Sequence, residues 1–573
     1  MHLKQTVNLP ALAYLISTSP AHAALVRSLI VPATWEKAED KICNWSWSRS
    51  EDSEARSVLR AKCAECTSSE EETNELYGDI QSSENKDAIM AILLTSLRKL
   101  RQLNIRFSTA DDHDDFRLLW PEIMNGIRSR RYSTAESTTI VETNSSQVAQ
   151  LLAVPDLVDV MVRFTGQVRR YLNYSLHLAS FFHLPNLRSI YGWKLGDMGD
   201  PPDWEDPKNP FAKLRPRSCP VEFIELRCSQ LHKDHFQLML DATIPGKLKT
   251  FSYEVGSRWS WCGTEHSAIM KSLQPHDETL EGLGLSHEDA YPYQSIKIRD
   301  KPYPCSFTSL VALKRLKIAP VYIWGHPKLI AHAMSQTPGR GSQDMLWSAL
   351  PTSLEELWIT RAQNQMGNTT FVSDCLLPAL KLVAQNKRSA FPKLDYLRIE
   401  LPLLNWQNEW LDDLASLCQL AAIEDMETTI IVCDMFDKHG PFTIERPWGW
   451  NEDIEWEQTP SRNSGNRGCA KVWIDATQQE HLADILKDMK AMFEEENARY
   501  CKARDAIDKL GPSFRDGHLN NSDYDASEGI GYPERYVDAR LKKEPYWEGR
   551  GKETILHRNA AARQPLDDDV KND

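Results

Sequence analysis

The segment Ser286–Asp289 reads Ser-His-Glu-Asp and so carries the hydroxyl, imidazole and carboxylate of a nucleophilic hydrolase. In such enzymes the three groups come from separate segments that meet in space, and neighbours in one loop rarely point at one another. The pattern therefore favours a loop that hydrogen-bonds its own backbone. One alternative stays open, a hydrolase or transferase whose site is built from repeat-end loops around Trp259, His287 and Tyr291.

Metal and cofactor chemistry has little support in the sequence. Cys63 and Cys66 form the one C-x-x-C, and no second pair or following H-x₃-H completes a zinc site. His232 and His235 are three residues apart but lack further ligands, which favours a solvated helix start. The motifs G-x-S-x-G, H-E-x-x-H and G-x-G-x-x-G do not occur. We expect no catalytic residues, no metal and no cofactor.

A six-residue pattern, L-x-x-L-x-L, recurs along the chain and predicts a short strand each time. Clear copies begin at Leu100, Val221, Leu248, Leu280, Leu313, Leu354 and Leu394, and weaker ones at Val26 and Leu187. From Leu187 onward the copies are 27 to 41 residues apart. One such unit cannot bury its apolar face alone, so successive units must stack. The sequence predicts an α/β fold, an irregular leucine-rich-repeat-like solenoid with a parallel sheet on one face and helices on the other.

Composition narrows the class of partner. The chain is 41% hydrophobic and 26% charged with a formal net charge of −14, so no general basic field favours nucleic acid or an anionic membrane. No apolar run approaches the ~20 residues of a membrane span. The twelve cysteines are scattered, as in a reduced protein, which predicts a cytoplasmic or nuclear location. The stretch Leu9–Ile16 has helical apolar spacing, which favours a core helix over a signal peptide.

Four regions are expected along the chain. Residues 1–183 form a helical region with degenerate repeats, 184–440 the solenoid, 441–510 a capping segment with a long helix from Thr477, and 511–573 a mostly disordered tail. Within the first region, residues 46–87 are rich in Ser, Glu and Asp and predict an exposed loop with some helix. Two helices are predicted near residues 146–164 and 167–182.

Several strings resemble fungal F-box/leucine-rich-repeat-type proteins. They are Leu226–Ser229, Leu248–Gly256, Leu283–Asp289 and Ala319–Gly325, and the resemblance covers roughly residues 10–435. It implies repeats that hold a protein to be ubiquitinated, while an F-box helix bundle docks on the adaptor of an SCF-type ubiquitin ligase. The F-box itself is not visible here, because Leu9–Leu12 is too short to count as one. Contact with the adaptor is therefore expected only if an upstream segment supplies that bundle.

The open face of the sheet is the predicted binding surface. If the apolar positions of each copy face the core, alternation along a strand puts the intervening residues on the opposite face. This face mixes charges of both signs with aromatic residues, as protein-binding surfaces do. The predicted partner-binding residues are Arg227, Glu254, Lys317, Trp358, Tyr396, Arg398 and Glu400.

The sequence thus favours a non-catalytic protein–protein interaction module that resembles the substrate-recognition repeats of an F-box protein. A repeat scaffold with no link to ubiquitin is the first alternative, and the enzyme with a site in the repeat-end loops is the second. The expected partner is a protein on the sheet face, with neither nucleic acid nor a membrane involved.

Overall fold

The computed structural model describes seventeen separate stretches of the chain. They are residues 9–31, 53–67, 69–82, 86–108, 154–165, 176–193, 195, 214–229, 231, 233–255, 266–287, 306–325, 344–360, 362, 371–433, 471–477 and 479–509. The predicted disordered tail, residues 511–573, lies outside them.

The chain divides into two compact units. The first is Met1–Cys305 with Ser309–Leu313 and Pro447–Trp450, and the second is Ser306–Thr308, Lys314–Arg446 and Asn451–Asp573. The predicted boundaries at residues 184 and 440 stay predictions.

Seven parallel strands make up the sheet of the first unit, and each lies beside the next in chain order. They are β1 (Ser28–Val31), β2 (Gln102–Ser108), β3 (Asp159–Thr165), β4 (Ser189–Trp193), β5 (Phe223–Ser229), β6 (Thr250–Val255) and β7 (Gly282–His287). At the start of β6, the N–H groups of Lys249 and Thr250 both donate to the carbonyl of Glu222 at 2.8 and 3.0 Å. The same pair of hydrogen bonds recurs between neighbouring strands, so each repeat is held in register with the repeat before it.

The recurring apolar positions form the core of both units. Ile224, Leu226, Leu283 and Leu285 in the first unit have no exposed surface, and in the second Leu357 has none. Removing such side chains from water is the main favourable term in folding, at about 25 cal/mol per Å² of apolar surface. The predicted repeat fold, parallel strands with helices between them, is confirmed.

Helices precede most strands of the first unit. They are α1 (Leu9–Thr18), α2 (Pro20–Ala23), α3 (Ser53–Cys66), α4 (Glu70–Ser82), α5 (Lys86–Ser96), α6 (Leu176–Ala179), α7 (Lys233–Asp241) and α8 (His266–Leu273). Short 3₁₀ turns, Ser180–His183 and Gln274–His276, lead from α6 and α8 towards the next strands. The helix predicted over Leu9–Ile16 is present as α1.

The exposed loop with some helix predicted over residues 46–87 contains more helix than expected, because α3 and α4 occupy most of it. Ser69 caps α4, where its hydroxyl accepts a hydrogen bond from the N–H of Glu72 at 3.1 Å. Acidic residues in the first turn, Glu70 to Glu72, also complement the positive end of the helix dipole. Leu76 and Ile80 are four residues apart and both buried. The Ser- and Glu-rich sequence thus forms the beginning of helix α4.

The helix predicted near residues 146–164 is wrong in its last part, where β3 lies. Leu157, Val160 and Val162 occupy the three apolar positions of the repeat and are fully buried. Branched side chains at two of them favour a strand. The second predicted helix, near 167–182, is present from Leu176 onward as α6 and the 3₁₀ turn after it.

The second unit has five strands, and the last one reverses direction. They are β8 (Arg315–Ile318), β9 (Glu356–Ile359), β10 (Tyr396–Leu401), β11 (Glu427–Cys433) and β12 (Lys471–Asp475). Strands β8 to β11 are parallel neighbours, whereas β12 pairs antiparallel with β11. The strand predicted over Lys471–Ile474 is therefore present.

Helices connect the strands β8 to β11 of the second unit, and one more follows β12. They are α9 (Val321–Trp324), α10 (Asp344–Ala349), α11 (Leu377–Gln385), α12 (Lys387–Ala390), α13 (Asn408–Ile423) and α14 (Leu482–Lys509). The long α14 is the predicted terminal helix, and it packs against α13. Leu482, Leu486, Met489 and Phe493 form its buried stripe. This helix covers the apolar end of the repeat, which would otherwise contact water.

Candidate functional site

One register row of the second unit brings together three of the residues predicted to bind a partner. Lys317 on β8 is opposite Trp358 on β9, and Trp358 is opposite Arg398 on β10. The row continues through Thr429 on β11 to Asp475 on β12. Because neighbouring strands are about 4.8 Å apart, side chains in one row can touch. We call Lys317, Trp358 and Arg398 the cation–aromatic row.

Two cations contact the indole ring of Trp358. Nζ of Lys317 lies 3.9 Å from the ring centroid, and Cζ of Arg398 lies 5.4 Å from it. Both distances are within the range in which the face of an aromatic ring attracts a cation. Nε of Arg398 also lies 3.1 Å from Oε1 of Glu356, which is two residues before Trp358. The row is therefore held by charge as well as by packing.

Burial in this row is deeper than the sequence predicted. Trp358 is 3% exposed and Lys317 is 8% exposed, while Arg398 is half-buried. A charged ammonium group is seldom so deeply buried unless another group stabilises it, and here the indole ring does so. The exposed edge of the row is therefore on the Arg398 side.

The other two predicted residues of the second unit, Tyr396 and Glu400, lie on β10 either side of Arg398. Tyr396 is half-buried. Glu400 is 2% exposed, and its Oε2 accepts a hydrogen bond from Oγ1 of Thr360 at 2.9 Å. Glu400 therefore connects β10 to Thr360, the residue after β9, through a buried hydrogen bond. Its predicted contact with a partner stays a prediction.

The first unit holds the remaining predicted residues, Arg227 and Glu254. On β5, Nε of Arg227 donates to Oε1 of Glu225, and both side chains are largely buried. On β6, Oε2 of Glu254 accepts a hydrogen bond from the hydroxyl of Ser286 at 3.3 Å. These contacts fix both side chains on the sheet face. The sequence predicted that Arg227 and Glu254 lie on this face, but it could not identify their hydrogen-bonding partners, Glu225 and Ser286.

The sheet face of the first unit is also less open than predicted. Met161 and Tyr191 lie opposite each other on β3 and β4, on the face away from the core, and neither has exposed surface. Asn104, beside Met161 on β2, is 3% exposed. A solvated face was expected from alternation alone, and alternation does not reveal what packs over a strand.

Sequence reasoning missed a row of charges at the amino ends of the strands. Glu222, just before β5, lies 3.3 Å from Nε of Arg188 and 3.0 Å from Nζ of Lys249. Burial alone would raise the pKa of Glu222, but the hydrogen bond from Lys249 and the charge of Arg188 outweigh it, so the pKa is lowered. All three residues occupy the position just before a strand, so their charges could have been found by aligning the repeats.

Thiols of both units lie in the core. Cys219 and Cys418 are buried, and burial raises the pKa of Cys219 to about 12 and that of Cys418 as well. A thiol with so high a pKa is a weak nucleophile at neutral pH. These two cysteines therefore act as small apolar side chains.

Several of the residues considered for catalysis or metal binding lie outside the described part of the chain, and these include His232. His287 ends β7 and is 2% exposed, while Trp259 and Tyr291 lie outside the described residues. Cys63 is buried in α3 and His235 is half-buried in α7. The described residues contain no group of three His, Cys, Asp or Glu that could hold a metal ion.

Among the described helices, none is both long enough and apolar enough to cross a membrane. No protein-family model matches the chain, and no curated protein matches it. Among solved structures, the chain is similar to the leucine-rich repeat-containing protein LegL7 from Legionella pneumophila, with 13% identity and a TM-score of 0.25. That match covers 61% of this chain and 80% of LegL7.

Proposed function

We propose that this protein is a non-catalytic repeat scaffold that holds a protein partner on the sheet face of its second unit. The observation that carries the proposal is the cation–aromatic row, in which Lys317, Trp358 and Arg398 occupy one register row. Tryptophan and arginine are the residue types that most often dominate binding energy at protein interfaces.

Within this proposal the residues have different roles. Arg398 and Tyr396 are half-buried and would contact the partner, and Arg398 also contacts the ring of Trp358. Lys317 and Glu400 are buried and would position their neighbours. In the first unit, Arg227 and Glu254 would add contacts on that unit's own sheet face.

The narrower proposal is a substrate-recognition component of an SCF-type ubiquitin ligase in the cytoplasm or nucleus. Its support is the resemblance of strings such as Leu248–Gly256 and Ala319–Gly325 to fungal F-box/leucine-rich-repeat-type proteins. Native affinity purification of the tagged full chain tests it, with the SCF adaptor and a cullin as the expected companions. Recovery of neither would contradict the narrower proposal and favour a scaffold with no link to ubiquitin.

A matched pair of variants tests the broader proposal. Arg398→Glu reverses the charge beside Trp358, and Arg388→Glu makes the same change on α12, where the Arg388 side chain is 68% exposed. We expect proteins cross-linked to the wild-type chain in cells to be lost from Arg398→Glu and kept by Arg388→Glu, as measured by quantitative mass spectrometry. Equal recovery by all three proteins, each folded by circular dichroism, would contradict the proposed surface.

A further inference from the structure

The amino ends of the first two strands carry a group of exposed arginines. Arg27 lies just before β1, Arg101 lies just before β2, and Arg98 lies in the turn that leads to Arg101. All three side chains are exposed, and all three residues belong to the first unit. We call Arg27, Arg98 and Arg101 the basic end patch.

Backbone hydrogen bonds hold the three arginines close together. The N–H of Arg101 donates to the carbonyl of Arg27 at 2.8 Å, so these two residues are neighbours at the start of β1 and β2. Neighbouring strands are about 4.8 Å apart. Arg98 lies in a turn that the N–H of Leu100 closes by donating to the carbonyl of Leu97 at 3.0 Å. The three side chains therefore leave the backbone within one small area.

Cations farther along the amino ends of the strands are paired with acids. Nζ of Lys99 lies 3.0 Å from Oδ2 of Asp156, which belongs to the next repeat. Nε of Arg188 and Nζ of Lys249 lie 3.3 and 3.0 Å from Oε2 of Glu222. The basic end patch differs from them, because none of its arginines forms an ion pair within the part of the chain that the structure describes.

The fold orders the basic end patch but does not neutralise it. The guanidinium of Arg27 donates to the carbonyls of Ala24 and Val26 in its own turn, and these groups carry no formal charge. A guanidinium stays charged at every pH at which proteins fold. Charges on adjacent backbone positions repel one another, since screening takes about 10 Å at 0.1 M salt. A conflict of this kind between local charge and fold is typical of a functional site.

An exposed apolar side chain borders these charges. Leu25 is 74% exposed and lies two residues before Arg27, as Lys99 lies two residues before Arg101. Because equivalent positions of neighbouring repeats lie side by side, Leu25 is next to Lys99. Covering an exposed leucine with an apolar group of a partner is favourable. This end of the sheet therefore offers a partner both positive charge and apolar surface.

We propose that the basic end patch binds a short segment of a protein partner that carries several Asp or Glu residues beside a large apolar side chain. This inference rests on the proposed function, in which the chain holds a protein, and it adds a second contact surface. Guanidinium groups bind carboxylates through two parallel hydrogen bonds. The apolar side chain of the segment would cover Leu25.

The size of the patch and the charge of the chain favour a protein segment over other anions. Binding to a nucleic acid or to an anionic membrane draws on many basic residues, roughly four to eight in a membrane-binding cluster. The patch has three arginines, and the formal net charge of the chain is −14, which repels a long polyanion at a distance. A segment with only a few carboxylates experiences less of this repulsion.

The experiment uses the full chain and a fluorescein-labelled peptide, Gly-Ser-Glu-Glu-Leu-Glu-Ser-Gly, followed by fluorescence anisotropy. In one comparison peptide Gln replaces every Glu, and in another Ser replaces Leu. We expect the Glu peptide to bind at least about tenfold more tightly than the Gln peptide, since hydrogen bonds between charged groups are the stronger kind. The peptide without Leu should also bind more weakly, because it leaves Leu25 uncovered.

Arg101→Glu reverses one charge of the patch and should weaken binding of the Glu peptide at least about tenfold. Arg215→Glu is the matched control, because Arg215 is an exposed arginine of the same unit that lies outside the patch. This control should bind the Glu peptide as the wild type does. If Arg101→Glu fails to fold, Arg98→Glu tests the same patch from the turn. Binding should also weaken as salt is added, because ions screen exposed charges.

Three results would overturn the inference. They are no binding of the Glu peptide by the wild type, an equal loss of binding in Arg215→Glu, and tighter binding, lost in Arg101→Glu, of single-stranded DNA or of phosphatidylserine vesicles. The outcome is separable from that of the proposed function, because Arg398→Glu changes only the second unit. If Arg398→Glu loses its partners while the Glu peptide never binds the wild type, the proposed function stands and the inference about the basic end patch fails.

Discussion

Nε2 of His276 lies 2.8 Å from Oγ1 of Thr243, and the direction of this hydrogen bond follows from the second contact that Thr243 makes. The single hydroxyl proton of Thr243 is donated to the carbonyl oxygen of Leu240 at 2.6 Å. Oγ1 must therefore accept a hydrogen bond, and Nε2 of His276 must carry the proton. His276 is 1% exposed and belongs to the next repeat, so this hydrogen bond joins two consecutive repeats within the first unit.

This arrangement predicts a loss of stability in mild acid. Burial lowers the pKa of His276 from 6.5 to about 4, against a smaller opposite effect of the Asp277 charge. A proton therefore binds the unfolded chain more readily than the folded one. The contribution of His276 to the free energy of unfolding should be fully present well above pH 6.5 and should be lost as the pH drops from 6.5 to 4. The total loss from this group is about 3 kcal/mol.

Urea unfolding of His276→Gln against pH checks this prediction. The glutamine amide can still donate to Thr243 but cannot gain a charge, so the slope between pH 6.5 and 4 should be smaller than in the wild type. His22→Gln is the control, because His22 is exposed. A slope that is unchanged in His276→Gln would show that other groups cause the acid sensitivity.

The contact between Lys317 and Trp358 should stabilise the second unit measurably. A double-mutant cycle with Lys317→Met and Trp358→Leu isolates the pair, because Met keeps the length of the lysine chain without its charge and Leu keeps an apolar side chain without the ring. We expect a coupling free energy of about 1 kcal/mol, favourable for the native pair. The measurement is the free energy of urea unfolding of the wild type, the two single variants and the double variant. Additive effects would mean that the ring and the ammonium group do not interact.

Replacing glycine by alanine should have opposite effects on stability at two positions, Gly192 and Gly78. An added Cβ at Gly192 on β4 would overlap Cδ1 of Leu195, so Gly192→Ala should destabilise the first unit by about 1–3 kcal/mol. At Gly78 within α4 an added Cβ would have no neighbour within 4 Å. Alanine there favours the helix, and Gly78→Ala should stabilise α4 by about 1 kcal/mol.

Thermal unfolding and hydrogen exchange separate these two effects. Gly192→Ala should increase exchange in β4 and its neighbours, whereas Gly78→Ala should slow exchange in α4. If Gly192→Ala is neutral, the leucine side chains around β4 can move aside. If Gly78→Ala is destabilising, that position has a constraint beyond helix propensity.

Most of the repeat could be predicted because its signal is local. Each copy of L-x-x-L-x-L puts three apolar side chains on one side of a single strand, and Leu248, Phe251 and Tyr253 are fully buried as that spacing requires. The pattern failed at β3, where Val160 and Val162 stand in place of leucine and an apolar run was taken for a helix. It also underestimated the helix after Ser69, where an acidic run that begins a helix was taken for part of a loop with some helix.

The candidate site was harder to predict because its contacts are not local. Trp358 could be assigned to a strand from its own neighbours, but Lys317 and Arg398 are 41 and 40 residues away in sequence, and only the register of the sheet makes them contacts. The same holds for Thr243 and His276, which are 33 residues apart. Such contacts depend on the exact lengths of the repeats, which vary along this chain.

The reversed direction of β12 limits how this architecture can evolve by lengthening. Gene duplication extends a solenoid when the copied module can continue the direction of its predecessor. After β12 the polarity is inverted, and a further copy of the parallel module would meet a strand that runs the wrong way. New modules would therefore have to be inserted ahead of β11, so ancestral gains and losses of length should fall among the parallel strands and spare the β11–β12 pair.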